Sequence, residues 1–167
     1  LFVTLDTTLA TPAVPDLNAV SDTGTNSSDN ITSETRPRIE GAAGAVEASS
    51  TVYIWLDTPS QPDTQIAVTA AAADGSWYYV FTTDHPLEEG VNRIHIVAID
   101  PAGNTSAASD DLTITVDFDL GSQDAPNLAA ASDSGTSAID DITNDTTPTI
   151  TGTCPVGAAV RIRVNET

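Results

Sequence analysis

The chain has 167 residues, of which 24 are acidic and five are basic, and its formal net charge at pH 7 is −19. All five basic residues are Arg, so the chain lacks the basic patches with which proteins bind nucleic-acid phosphates. Its hydrophobic content of 40% is high for a disordered acidic tail, and no apolar run approaches the ~20 residues that cross a bilayer.

The sequence matches itself after a shift of 111 residues, without a gap from Val3 to Gly41. "VTLD" (3–6) falls on "ITVD" (114–117), and "TRPRIEG" (35–41) falls on "TTPTITG" (146–152). After a three-residue deletion, "TVYIWLD" (51–57) falls on "AVRIRVN" (159–165). A period of this length indicates a tandem array of ordinary domains.

The repeat divides the chain into five predicted parts, taken as a window of a longer polypeptide. Residues 1–6 are the last strand of a preceding repeat and residues 7–13 are a linker. Residues 14–117 are one whole domain, residues 118–124 a second linker, and residues 125–167 the opening strands of the next repeat.

Within the whole domain, short alternating segments and turn residues predict an all-β Ig-like Greek-key sandwich. The predicted strands are A (17–20), B (38–41), C (52–56), D (66–72), E (77–82), F (93–99) and G (112–116). Alternation places one face of strands C, E, F and G in the core. These residues are Val52, Ile54, Leu56, Trp77, Tyr79, Phe81, Ile94, Ile96, Ala98, Leu112, Ile114 and Val116. Asp74-Gly75 predicts a tight hairpin between strands D and E.

The order of these segments resembles a known family. "ADGSWYYVFTT", "LEEGVNRIHIVAIDPAGNTS" and "LTITVD" follow one another as in the bacterial Ig-like repeats of large RTX-type and biofilm-associated surface adhesins. The resemblance covers essentially the whole chain. It implies an extracellular extender segment, stiffened by Ca²⁺, that holds a binding tip away from the bacterial cell and serves adhesion or biofilm formation.

Two near copies of one acidic loop precede strand B and its repeat. We call "SDTGTNSSDNIT" (21–32) the first acidic loop and "SDSGTSAIDDIT" (132–143) the second acidic loop. Asp22 and Asp29 lie seven residues apart in the first, and Asp133 and Asp140 repeat them in the second. Ca²⁺ binds carboxylate, amide and backbone oxygens, so each loop is a candidate cation site. The alternative is that Asp, Ser and Asn only form Asx-turns in a solvated loop.

The loops of an Ig-like sandwich gather at two ends. The end from which strand G leaves, here the C-terminal pole, is predicted to collect the first acidic loop, Asp117 and the linker acids Asp119 and Asp124, which would bridge to the next domain. At the other end, the N-terminal pole, Asp74 and Asp100 face Asp6 of the preceding linker. Asp100 could reach a cation there or only cap its own turn.

Alternation also places Tyr53, Trp55 and His95 on the outer face of the sheet made by strands C, F and G. An exposed aromatic strip can mark lateral association between copies or a glycan- or protein-binding surface. The alternative is that these are scattered surface residues or lie under a loop.

No nucleophile, base and orienting group come together in the sequence, so the chain is not expected to be an enzyme. Cys154 is the only cysteine and is predicted to be a small residue at the edge of a core, which leaves no intrachain disulfide. A metal ion is then one source of stability for a secreted domain. The expected partners are neighbouring repeats of the same polypeptide or lateral copies of the chain.

Overall fold

The structure is a computed structural model that describes residues 3–24, 26–118, 125–137, 139–154 and 160–163. It divides into two compact units, residues 1–118 and residues 119–167. The described residues form strands, turns and irregular segments, and none of them belongs to a helix that could cross a membrane.

The first unit is built from two sheets. Its strands are β1 (Asp16–Leu17), β2 (Ile31–Thr32), β3 (Arg38–Gly41), β4 (Thr51–Asp57), β5 (Thr64–Ala70), β6 (Trp77–Val80), β7 (Gly90–Ile99) and β8 (Leu112–Val116). The smaller sheet has the order β1–β3–β6, and the larger has the order β2–β8–β7–β4–β5. Neighbouring strands are antiparallel except β2 and β8, which are parallel. This is the predicted all-β Ig-like sandwich.

The core lies between the two sheets, where alternate residues of each strand point inward. Strand β4 alternates strictly between buried and half-buried residues, and β7 and β8 contribute inward residues from the same sheet. Ile39 and Trp77 close the core from the smaller sheet. The predicted core is confirmed except for Tyr79, which is only partly buried and packs against its edge.

Strand β2 has no counterpart in the sequence prediction. It pairs with β8 through Ile31 opposite Thr115 and Thr32 opposite Val116. A two-residue strand is too short to show alternation in the sequence, and its pairing is set by the position of β8. The chain thus contributes to the smaller sheet at β1, crosses to the larger sheet at β2 and returns at β3.

The predicted hairpin at Asp74-Gly75 is wrong, although the turn is present. Gly75 has a φ of +79°, but β5 and β6 belong to different sheets, so the turn passes between sheets and joins no hairpin ladder. Its backbone is held by the β3–β4 loop, where Gly44 N donates to Asp74 O at 2.7 Å. Strand β5 also begins and ends two residues earlier than predicted, at Thr64 and Ala70.

The second unit repeats the start of the first. Strands β9 (Asn127–Leu128) and β10 (Ile150–Thr151) pair antiparallel. Leu128 lies opposite Ile150, which is the pairing of Leu17 with Ile39 shifted by 111 residues.

Three sequence predictions at the ends of the chain differ from the structure. Of the predicted strand 1–6, residues 3–6 form no strand, and residues 1 and 2 lie outside the described residues. Residues 160–163 of the predicted strand 159–165 also form no strand, and the rest of that segment lies outside the described residues. Cys154 is exposed, since the described part of its unit packs no core around it.

Candidate cation-binding site

Three carboxylates meet at the N-terminal pole of the first unit. Asp6, Glu47 and Asp100 each place one oxygen within 4.8 Å of the other two. Among the described residues this is the one group of three or more Asp, Glu, His or Cys ligand atoms at such separations. We call it the Asp6 cluster. The prediction that Asp6 faces Asp100 agrees with this placement.

Asp100 is buried and rigidly held. It follows β7 directly. Its Oδ1 accepts a hydrogen bond from Asn104 N, and its Oδ2 accepts one from Asn104 Nδ2, each at 2.8 Å. Burial would raise the pKa of the Asp100 carboxyl, but hydrogen bonds from Asn104 and from the backbone amides of Ala102 and Gly103 outweigh it and hold the pKa below its ordinary value. The turn-capping role predicted for this residue is therefore present, and the carboxyl is kept ionised.

Asp6 and Glu47 come from two segments that the backbone ties together. Ala13 N donates to Ala45 O at 2.9 Å, which fastens the segment before β1 to the loop between β3 and β4. Asp6 and Glu47 are exposed, and Asp6 Oδ1 accepts from Thr8 N at 3.3 Å. The cluster thus joins the segment that precedes the sandwich to two loops of the sandwich itself.

Glu47 was missed by the sequence reasoning. It is the only acid in the stretch "GAAGAVEASS", and the three-residue deletion in the second repeat leaves no aligned partner to draw attention to it. Loop topology places it at the correct pole, since the loop between β3 and β4 and the loop after β7 lie at the same end of an Ig-like sandwich.

The first acidic loop buries one of its two predicted ligands and exposes the other. Asp22 is 4% exposed, and its Oδ2 accepts from Asn30 N at 3.1 Å. Asp29 is exposed and its Oδ1 accepts from Ile31 N at 3.2 Å. In the second loop Asp133 and Asp140 make the corresponding contacts with Asp141 N and Ile142 N. Asp29 and Asp140 therefore form Asx-turns, as the alternative interpretation of the acidic loops predicts.

At the C-terminal pole, the loops are held together by hydrogen bonds to Glu88 and Glu89. These two acids are not among the predicted cation ligands. Glu88 accepts from Thr58 Oγ1 at 2.9 Å and from Ser60 N at 3.1 Å, and Glu89 Oε2 accepts from Phe118 N at 3.2 Å. Asp117 is exposed, and its backbone N donates a hydrogen bond to Thr32 O of β2. The predicted ligands Asp119 and Asp124 lie outside the described residues.

Tyr53, Trp55 and His95 lie on one face of the larger sheet as predicted, and all three are half-buried. The rings of Trp55 and His95 are stacked, with centroids 5.9 Å apart and planes 6° from parallel. His95 Nδ1 lies 3.7 Å from Asp63 Oδ1 and 3.8 Å from Asp111 Oδ1. The two rings therefore pack on one another between two carboxylates.

The sandwich with its acidic poles defines an Ig-like module, and comparison with known families agrees. The family model of the bacterial Ig-like domain matches residues 8–118 and 121–167, so the chain belongs to that family. The family has a non-catalytic fold and typically occurs in surface or extracellular proteins. No curated protein matches the chain.

Proposed function

We propose that the chain is a non-catalytic extender segment of a bacterial surface adhesin. In this role, Ig-like units in series form a rod that projects a binding tip for adhesion or biofilm formation. The observation that carries the proposal is the Asp6 cluster, because it brings a carboxylate of the segment before the sandwich within 4.8 Å of carboxylates from two loops of the sandwich.

A hard divalent cation fits this cluster. Three carboxylates within 4.8 Å in a chain of net charge −19 repel one another unless a positive charge lies among them. Ca²⁺ takes about six to eight oxygen ligands at flexible angles, and an ionised carboxylate keeps lone pairs free after accepting one hydrogen bond per oxygen. Asp6, Glu47 and Asp100 would hold the ion and so fix residues 3–13 against the sandwich.

We propose a second cation site at the linker that follows the first unit. The 111-residue shift aligns Asp6 with Asp117, so Asp117, with Asp119 and Asp124, would bridge the first unit to the next. A linker of seven residues without such a bridge lets two domains swing freely. Cation binding at each junction would convert a flexible chain into a stiff one.

Hydrogen exchange tests the cluster. We expect Ca²⁺ to slow amide exchange in residues 3–13 of the wild type and to have no effect in Glu47→Gln. The control Glu34→Gln removes one exposed carboxylate outside the cluster and should behave as wild type. Equal exchange with Ca²⁺ and with chelator in the wild type would refute a cation at the cluster.

Small-angle scattering tests the rod. The maximum dimension of the whole chain should shorten when chelator replaces Ca²⁺, with unchanged β content by circular dichroism. An unchanged maximum dimension would refute cation stiffening of the junction while leaving membership of the family intact.

An alternative function is a glycan- or protein-binding module, or a subunit of a laterally associating filament. The observation in its favour is the stacked pair of Trp55 and His95 between Asp63 and Asp111, since aromatic faces flanked by carboxylates suit sugar rings and their hydroxyls. Against it, the indole Nε1 of Trp55 is buried and has no hydrogen-bond partner in the residues that the structure describes, so the indole N–H is not accessible to a ligand.

A further inference from the structure

Each acidic loop contains a buried carboxylate oxygen that has no hydrogen-bond partner among the described residues. Asp22 is 4% exposed and Asp133 is 8% exposed. The Oδ2 of each accepts one backbone hydrogen bond, from Asn30 N at 3.1 Å and from Asp141 N at 3.4 Å. The Oδ1 of each is buried and accepts no hydrogen bond.

A bare carboxylate oxygen in this position is unfavourable. An unsatisfied buried polar group destabilises the fold, and a charged one does so more strongly. In the described residues the arginine ion pairs go elsewhere, from Arg38 to Glu40 and from Arg93 to Asp57. Some other positive or donating group must therefore meet Asp22 and Asp133.

The feature belongs to the loop itself, because two copies in separate units share it. Gly24 and Gly135 both have a φ of +118°, and Asn30 and Asp141 have φ of +58° and +56°. The loops also share a second anchor at their start. Ser21 Oγ accepts from Arg38 N and Ser132 Oγ accepts from Thr149 N, each at 3.0 Å.

The chemistry of the loops selects the missing group. The first acidic loop offers Asp, Asn, Ser and Thr side chains and backbone carbonyls, so its side-chain ligands for a metal are all oxygens. Oxygen-only sites containing carboxylates favour hard cations over zinc or copper. We propose that Asp22 and Asp133 each use Oδ1 to bind a Ca²⁺ ion within their own acidic loop.

This ion would act inside one unit and is independent of the Asp6 cluster. The first acidic loop leads directly into β2, and Asn30 O accepts from Thr115 N of β8 at 2.9 Å. A cation on Asp22 would therefore hold the loop in the shape that docks β2 on β8. Its effect is on the stability of the sandwich, whereas the Asp6 cluster acts on the junction.

Calorimetric titration of Ca²⁺ into the chelator-treated chain, combined with thermal unfolding, tests the proposal. We expect Asp22→Asn to bind one ion fewer than wild type and to lose part of the rise in melting temperature that Ca²⁺ gives. With chelator, Asp22→Asn should be at least as stable as wild type, because the amide removes an uncompensated charge. The control Asp29→Asn, which changes the exposed cap in the same loop, should bind the wild-type number of ions.

Asp133→Asn with the control Asp140→Asn repeats the test in the second unit, so a poorly folding variant in one loop does not end it. Unchanged stoichiometry in both Asp22→Asn and Asp133→Asn would overturn the proposal and assign the buried oxygens to water or a proton. Glu47→Gln separates the two sites: loss of an ion there with no loss in Asp22→Asn would support only the Asp6 cluster.

Discussion

The side-chain amide of Asn92 organises the C-terminal pole, and its removal should be costly. Asn92 is fully buried at the start of β7. Its Oδ1 accepts from Glu88 N at 3.0 Å, and its Nδ2 donates to Glu88 O at 2.8 Å and to Gly90 O at 3.0 Å. The amide thus closes the loop that places Glu88 and Glu89 beside the end of β8.

The expected loss follows from these three bonds. Each intramolecular hydrogen bond contributes about 1 kcal/mol net, so Asn92→Ala should lower the free energy of unfolding by about 3 kcal/mol. The backbone groups of Glu88 and Gly90 would lose their partners, which adds to the loss wherever water cannot reach them.

Urea denaturation followed by tryptophan fluorescence measures this loss, because Trp77 lies in the core. Asn26→Ala is the matched control: the side-chain amide of Asn26 accepts two hydrogen bonds, from Ser28 N and Oγ, but it is exposed. We expect its change to stay within about 0.5 kcal/mol, since water replaces the amide. A loss in Asn92→Ala no larger than in Asn26→Ala would refute the role of the buried amide.

Two further predictions concern a carboxyl group and the aromatic pair. Hydrogen bonds from Ser60 and Thr58 hold the pKa of Glu88 below its ordinary value of 4.5, so its contribution to stability is full above that pH and is lost as the pH falls through the lowered value. Glu88→Gln should therefore lose less stability than wild type between pH 5 and pH 2 in acid-denaturation curves, and an identical decline would contradict this. Trp55→Ser should lower the melting temperature through loss of the stack on His95 and leave the chain monomeric in sedimentation. A wild type that binds glycans or self-associates, with either property lost in Trp55→Ser, would instead support the alternative function.

The longer strands could be predicted because their residues face the core and the outside in turn, and the sequence alternates between apolar and other residues in the same way. Strands β4 and β7 keep one face in the core over seven and ten residues, long enough for period 2 to separate from chance. Strand β2 has two residues and takes its pairing from β8, so no local pattern marks it. The error at Asp74-Gly75 has a similar cause: the dipeptide fixes a turn, but tertiary packing decides whether the next strand stays in the same sheet.

Loop topology predicts which acids lie at the same pole, but it does not predict which of them form a candidate cation site. Assigning loops to poles placed Asp100 with Asp6, because connections at one end of a sandwich converge whatever their sequence. The same topology places Glu47 at that pole, but it could not show that the Glu47 carboxylate comes within 4.8 Å of the other two, since this depends on how Ala13 and Ala45 join. Nor could it show which carboxylate of each acidic loop is buried, since Asp22 and Asp29 look alike in sequence and differ only after the loop has folded.

The acid content of this chain does not show which acids bind cations. The hydrogen-bond donors around each carboxylate distinguish the acids that shape turns from the candidate cation ligands. Asp29, Asp74 and Asp140 each accept from the backbone amide two residues later and shape turns. Asp6 accepts from Thr8 N in the same way, but among the described residues it is the one acid of these four that also lies in a group of three carboxylates. Asp22 and Asp133 keep an oxygen that no donor of the described part of the chain reaches, and the Asp6 cluster brings like charges together from three segments. Cation dependence should therefore follow burial and convergence of carboxylates, so that neutralising a turn-forming acid removes no bound ion while neutralising Asp22 does.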